Sequence, residues 1–300
     1  MSIAMGSFLE TLSWCIFSPD LVQLNSKSLD SDFLKKGWKV FEDASFPQQN
    51  LPNYNGRLGH FFEDFIDFFL SHHPDVTTLQ RGRQIKKDNQ TIGEADFLFY
   101  DHSAKEWIHL EVAVKFYLLR SNLTSDDANA SIFLGPNAID NLKKKRDKLF
   151  FKQMKLIEEN RSLLPDLPLD APLKSKLLFK GILFYPLSQE QIEENMCLRM
   201  GISPLHIQGK WMHRLEIADL KLKNVKYLFL DRSSWFRQLS LAEIQNPGLD
   251  QTEFNEFIDR HFSYSQQPLM FERFLGSSNY KQQRLRIFIV HENWPKLRDE

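Results

Sequence analysis

Cysteine is scarce in this chain: two of its 300 residues are cysteines, Cys15 and Cys197, and their spacing matches no metal-ligand motif. A reducing compartment, the cytoplasm, is therefore expected. No apolar run approaches the roughly 18 to 20 residues that a membrane span requires, so no membrane partner is expected. The first residues lack a basic start, and Glu10 interrupts their apolar stretch, which argues against a signal peptide. The formal net charge of -1 excludes a global basic field, so contact with nucleic acid would need a local basic patch.

The apolar pattern predicts an α/β protein without internal repeats. Asp88-Asn89 is suited to a hairpin turn between the first two predicted strands, whereas residues 20–50 look polar and irregular. Gly135-Pro136-Asn137 is expected to open a helix, because proline suits a first helical turn. The predicted helices lie at about 7–17, 56–70 and 135–160, and the predicted strands at about 77–87, 91–100, 106–118, 177–185, 227–230, 269–274 and 285–290.

Two predicted strands carry carboxylates in apolar surroundings. Asp96 lies on the strand at 91–100, and Glu111 lies on the strand at 106–118 together with Lys115. Side chains alternate faces along a strand, so Glu111 and Lys115 project from the same face. Charged groups in a core strand are costly to bury unless they are paired, hydrogen-bonded or bound to metal. These strands are therefore the first place to look for chemistry.

The preceding predicted helix carries a polar stripe of His60, Glu63, Asp64 and Asp67 at helical spacing. With this helix, the order helix–strand–strand–strand–helix–strand resembles the core of the PD-(D/E)XK nuclease superfamily, and Glu63 matches an acid that many members place on the helix. Over most of its length the chain also resembles a bacterial family, domain of unknown function 1853, which has been grouped with that superfamily. The segments that carry this second resemblance are 57–63, 93–96, 109–117, 135–137, 286–290 and 294–295.

The resemblance implies a restriction-endonuclease-like α/β/α core with a mixed central sheet over residues 50–190. An N-terminal helix and irregular segment would precede it over 1–50, and a C-terminal β-rich extension over 190–300 would pack on it. The implied activity is that of a metal-dependent nuclease that hydrolyses phosphodiester bonds in DNA. The implied catalytic residues are Glu63, Asp96, Glu111 and Lys115, and the first three of them would hold Mg²⁺ or Mn²⁺.

The sequence departs from the superfamily pattern at two positions. Ala95 replaces a proline that takes no part in the chemistry. The lysine of the pattern stands two residues after the second acid, where this chain has Ala113, whereas Lys115 lies two residues further on. Lys115 keeps the same face but is displaced by about 6.6 to 7 Å along the strand. Its long flexible stem would have to reach back toward the acids.

The acids have a second interpretation, namely a buried ion-pair network without catalysis. Mg²⁺ favours carboxylate oxygens and can activate water and stabilise charge in phosphodiester hydrolysis, which is the functional alternative. His60 and His109 share faces with Glu63 and Glu111. They are expected to be hydrogen-bonded, partly buried histidines, or else to support metal ligands.

A basic run on the helix after Gly135 suggests a contact with the phosphate backbone, since lysine and arginine dominate such binding. The alternative interpretation, without a binding function, is a solvated helical face. The candidate nucleic-acid-binding residues are Lys143, Lys144, Lys145 and Lys148, with Arg81 and Arg83 on the first strand.

Three functions remain open at this point. The first is a Mg²⁺-dependent nuclease that acts on DNA. The second is a nuclease-fold module without turnover that binds nucleic acid or a protein. The third is a structural or interaction protein whose acids form ion pairs. Protein partners are not indicated by any motif.

Overall fold

The computed structural model describes residues 5–42, 46, 51–120, 130–189, 193–219, 224–237, 239, 243, 248–275 and 284–295. The protein is mixed α/β, and its large sheet contains both parallel and antiparallel neighbours. The helices are α1 Met5–Phe17, α2 Ser31–Glu42, α3 Leu58–Ser71, α4 Leu142–Phe151, α5 Leu156–Glu159, α6 Glu194–Met200 and α7 Gln251–Phe262. The strands are β1 Val76–Lys87, β2 Gln90–Asp101, β3 Glu106–Leu119, β4 Phe133–Leu134, β5 Leu173–Pro186, β6 Ile207–His213, β7 Val225–Leu230, β8 Leu269–Leu275 and β9 Leu285–Val290.

The chain forms two compact units, and neither is a continuous segment. The first consists of residues 1–114 and 145–180, and the second of residues 115–144 and 181–300. Strands β3 and β5 each contribute residues to both units. The division expected near residues 50 and 190 stays a prediction.

In the first unit, β1, β2 and β3 form an antiparallel meander. Asp88 and Asn89 join β1 to β2 with φ values of 49° and 63°, the left-handed pair that a type I′ hairpin turn requires. The predicted hairpin is therefore confirmed. Aromatic side chains pack the three N-terminal helices against one another. Phe8 of α1 stacks on Phe65 of α3 with 5.6 Å between ring centroids, and the ring centroid of Phe41 of α2 lies 5.9 Å from that of Phe69 of α3.

Helix α2 lies in a stretch that the sequence suggested to be irregular. Its buried residues are Phe33, Gly37 and Phe41, a single narrow stripe. A Cβ on Gly37 would lie 2.3 Å from Cδ2 of His73, so this position requires glycine although glycine is a poor helix former. His73 also bonds the Phe33 carbonyl through Nε2 at 2.9 Å, which fastens α2 to the segment after α3.

In the second unit, the strand order is β5-β6-β9-β8-β7, and β4 pairs with the end of β3. Strands β5, β6 and β9 run parallel, whereas β8 is antiparallel to β9 and β7. Helix α7 starts with a capping box from Asp250 and Glu253 and buries Phe254 and Ile258 against this part of the sheet. The strands predicted near 227, 269 and 285 are confirmed, and the predicted turn between the last two lies outside the described residues.

The prediction of one helix over 135–160 is wrong. Gly135, Pro136 and Asn137 form part of a turn, in which the Ala138 N–H donates to the Gly135 carbonyl at 2.8 Å. Helix α4 begins only at Leu142, and the chain then continues through a 3-10 turn, Gln153–Lys155, into α5. None of the helices in the described ranges combines the length and the apolar character that crossing a membrane requires.

Candidate functional site

The candidate site lies where the pairing of β2 with β3 ends. The ladder covers Phe97–Asp101 against Glu106–Leu110, and one further step of this register would set Asp96 opposite Glu111. Side chains take over the hydrogen bonds at that step. The Val112 N–H donates to Oδ2 of Asp96 at 2.9 Å, and the Asp96 N–H lies 3.5 Å from Oε1 of Glu111. The two acids predicted from adjacent strands therefore meet at one place.

Glu111 is fully buried, and each of its two carboxylate oxygens contacts a donor that is either a histidine or a neutral group. His109, also fully buried, lies with Nε2 2.9 Å from Oε1. The Gln153 amide donates from Nε2 to Oε2 at 2.7 Å. A buried carboxylate held in this way keeps a fixed position without a lysine or arginine partner.

The electrostatics of Asp96 reflect a crowded site. Burial, followed by the negative charges of Glu111 and Glu63, raises the pKa of Asp96 to about 7, although the Val112 N–H and the charge of Lys145 lower it. A negative charge near a buried carboxyl opposes the ionisation of that carboxyl. In the protein alone, the carboxyl of Asp96 is therefore partly protonated at neutral pH.

Glu63 belongs to the acidic side of α3 and has partners of its own. Its Oε2 lies 3.4 Å from Nδ1 of His60 and 3.5 Å from the guanidinium of Arg81. Arg81 is bound more closely by Asp64, at 2.7 Å, and also faces Asp67 at 3.7 Å. The charge of Glu63 acts on Asp96, but its carboxylate is engaged in this cluster with Arg81.

A close backbone contact brings Gln153 to the acids. Gly93 of β2 packs on the start of α5, where a Cβ would lie 2.6 Å from Cδ1 of Leu156. The 3-10 turn that carries Gln153 immediately precedes Leu156. Sequence reasoning missed Gln153, since a single neutral residue within a predicted basic helix gives no signal of its own.

Lys115 lies in the second unit and contacts Asp140. Its Nζ is 2.9 Å from Oδ2 of Asp140, which also accepts a hydrogen bond from the Tyr117 hydroxyl at 3.0 Å. This arrangement fastens the turn after β4 to the end of β3. The catalytic role expected for Lys115 stays a prediction, and it requires that the ion pair with Asp140 opens.

The candidate nucleic-acid contacts differ in their surroundings. Arg81 is held by α3, and Arg83 pairs with Asp166 at 2.7 Å. Lys144 and Lys148 are exposed and stand one helical turn apart on α4. Lys143 is exposed as well, whereas Lys145 is half-buried.

The two meeting carboxylates suit a hard divalent cation. Mg²⁺ is usually held by one or two carboxylates, with waters and substrate oxygens filling its remaining positions. Asp96 and Glu111 meet this requirement. Within the described ranges, no group of three or more histidine, cysteine, aspartate and glutamate side chains has an arrangement able to hold a metal ion. A site built here would therefore rest on the pair and not on an acidic triad.

Comparison with known proteins gives one match. No curated protein sequence and no solved structure is significantly similar to this chain. The family model described as Domain of unknown function (DUF1853) matches residues 10–290, nearly the whole length. The chain therefore belongs to the DUF1853 family.

Proposed function

We propose that the protein is a cytoplasmic metal-dependent nuclease with a PD-(D/E)XK-like core, which hydrolyses phosphodiester bonds in DNA. The observation that carries the proposal is the meeting of Asp96 and Glu111 at the end of the β2–β3 ladder. Glu111 is fully buried and Asp96 is half-buried beside it. Two carboxylates in one place repel each other, and a divalent cation would relieve that repulsion.

Asp96 and Glu111 would hold Mg²⁺ or Mn²⁺ through their carboxylate oxygens. When bound, such an ion polarises the phosphate and lowers the pKa of a bound water. His109 and Gln153 keep the Glu111 carboxylate oriented, and the Val112 N–H keeps that of Asp96 oriented. The protein thus sets the positions of the ligands before the substrate arrives.

The contacts of Glu111 argue against the structural alternative. An ion-pair network built for structure alone favours a permanently charged lysine or arginine beside each buried carboxylate, because an unpaired buried charge is costly. Among the described residues, the hydrogen bonds to Glu111 come instead from a histidine, an amide and a backbone N–H, and the histidine forms an ion pair only when it is protonated. Lys115, the strand lysine nearest in sequence, pairs with Asp140.

DNA would be held through its backbone. Lys144 and Lys148 are exposed on one side of α4, and lysines in this arrangement neutralise phosphates irrespective of base sequence. The proposal therefore includes affinity for DNA that falls steeply with salt. Arg81 and Arg83 already neutralise acidic side chains, so we expect less from them.

The test is cleavage of single- and double-stranded DNA and RNA with Mg²⁺ or Mn²⁺. Wild type should cleave DNA only with metal, and Asp96→Ala and Glu111→Ala should each abolish cleavage while the protein stays folded. Glu94→Ala is the matched control, because Glu94 lies on β2 but is exposed.

Absence of cleavage on every substrate would overturn the enzyme proposal. Salt-sensitive DNA binding under the same conditions would then support the catalytically inactive module that binds nucleic acid. The exposed lysines of α4 are the observation that favours this second candidate.

A further inference from the structure

The Gln153 amide is fixed by the carboxylate that it contacts. Its Nε2 donates a hydrogen bond to Oε2 of Glu111, and the distance between these atoms is 2.7 Å. The carbonyl oxygen Oε1 is bonded to the same carbon as Nε2. It therefore lies beside the carboxylate.

Oε1 of Gln153 is buried and has no hydrogen-bond partner in the described part of the chain. Leaving a buried acceptor without a partner is energetically unfavourable. Nδ1 of the fully buried His109, on the other side of Glu111, is in the same condition. Unsatisfied polar atoms thus flank Glu111 on both sides.

The carboxylates of Asp96 and Glu111 retain lone pairs that accept no hydrogen bond from the described residues. A carboxylate oxygen accepts about two hydrogen bonds. Oε2 of Glu111 accepts one, from Gln153, and Oδ2 of Asp96 accepts one, from Val112. Each of these oxygens therefore keeps a lone pair for a cation, and amide carbonyl oxygens are themselves ligands of hard divalent ions.

We propose that Oε1 of Gln153 is the third protein oxygen that coordinates the divalent cation held by Asp96 and Glu111. This inference rests on the proposed function. Glu63, the third ligand expected from the resemblance, is left with an indirect electrostatic effect, because His60 and Arg81 contact its carboxylate. The site is thus completed by a residue that follows α4 and not by the helix that precedes the sheet.

Binding of Mn²⁺ alone, measured by electron paramagnetic resonance on the full chain, tests the inference without any substrate. Gln153→Met removes the oxygen but keeps the length of the side chain, and it should weaken Mn²⁺ binding at least about tenfold. Glu63→Gln should change the affinity by less than about twofold. Gln84→Met is the matched control, because Gln84 makes the same amide-to-carboxylate contact with Glu94 on an exposed surface, at 3.3 Å.

A further variant, Gln153→Glu, separates a ligand from a residue that only orients Glu111. If Gln153 is a ligand, a carboxylate at this position should preserve or tighten Mn²⁺ binding. If only the amide N–H matters, the new carboxylate would repel Glu111 and weaken binding, and that result overturns the inference. Should Gln153→Met fail to fold by circular dichroism, Gln153→Asn withdraws the oxygen by one methylene and should show the same loss.

Two failures are distinguishable. Mn²⁺ binding by wild type and equally strong binding by Gln153→Met would overturn the role of Gln153 and leave the proposed nuclease intact. Absence of Mn²⁺ binding by wild type would overturn the metal site itself, and the role of Gln153 with it.

Discussion

Replacing Asp96 with asparagine should stabilise the metal-free protein at alkaline pH. Burial and the charges of Glu111 and Glu63 raise the pKa of Asp96 from 3.8 to about 7. The folded-state pKa lies above the unfolded value. The contribution of this carboxyl to the free energy of unfolding is therefore highest below pH 4 and is lost as the pH rises through 7. Asparagine keeps an acceptor for the Val112 N–H but does not ionise, so the variant avoids this loss.

The size of the effect follows from the pKa. A displacement of about 3 pKa units corresponds to roughly 4 kcal/mol at 1.36 kcal/mol per unit, which sets the upper bound. We expect Asp96→Asn to be more stable than wild type by about 2 to 4 kcal/mol at pH 8 and by nearly nothing at pH 4.

Urea unfolding with EDTA at pH 4 and pH 8 measures the difference. Glu94→Gln, an exposed position on the same strand, should show no such dependence on pH. Adding Mg²⁺ at pH 8 should stabilise wild type more than the variant, because the cation binds the ionised carboxylate. Equal differences at both pH values, or a destabilised variant at pH 8, would refute the reasoning.

Three further predictions concern the basic residues. Lys115→Met should slow cleavage at least about tenfold, which corresponds to roughly 1.4 kcal/mol in the activation barrier. Asp140→Asn, which releases the lysine from its ion pair, should not slow cleavage. Equal single-turnover rates for wild type and Lys115→Met would show that Lys115 has no catalytic role. Replacing Lys144 and Lys148 together with glutamine should weaken DNA binding and reduce the slope of log affinity against log salt by about two, and an unchanged slope in fluorescence anisotropy would contradict a backbone contact on α4. Arg81→Met should cost roughly 1 to 2 kcal/mol in urea unfolding, because it leaves partly buried acids of α3 without their partner, and a stability equal to wild type would show that water screens these acids.

The strands could be predicted from the sequence because their signals are local. Alternation and apolar runs located β1, β2 and β3 within two residues at each end, and Asp88-Asn89 marked the turn. Helix α2 could not be found in this way. Its apolar stripe is narrow, and Gly37, which disfavours a helix locally, is required by a contact with His73 far along the chain.

In the candidate site, too, residues with a local sequence signal could be predicted and residues placed by long-range contacts could not. Asp96 and Glu111 stand out in sequence because carboxylates in apolar strands are costly, and the structure brings them together. Gln153 and the pairing of Lys115 with Asp140 depend on where distant segments meet. No local pattern around those residues encodes that meeting.

The distance along the chain between Glu111 and Gln153 has a consequence for synthesis. These residues are 42 positions apart, so at about 5 to 20 residues per second a ribosome needs about 2 to 8 seconds to add the second after the first. During that interval the nascent chain already contains Asp96, His109 and Glu111, but the amide that holds Oε2 does not yet exist. A nascent chain arrested between these two positions would carry the acidic pair without the group that completes its surroundings.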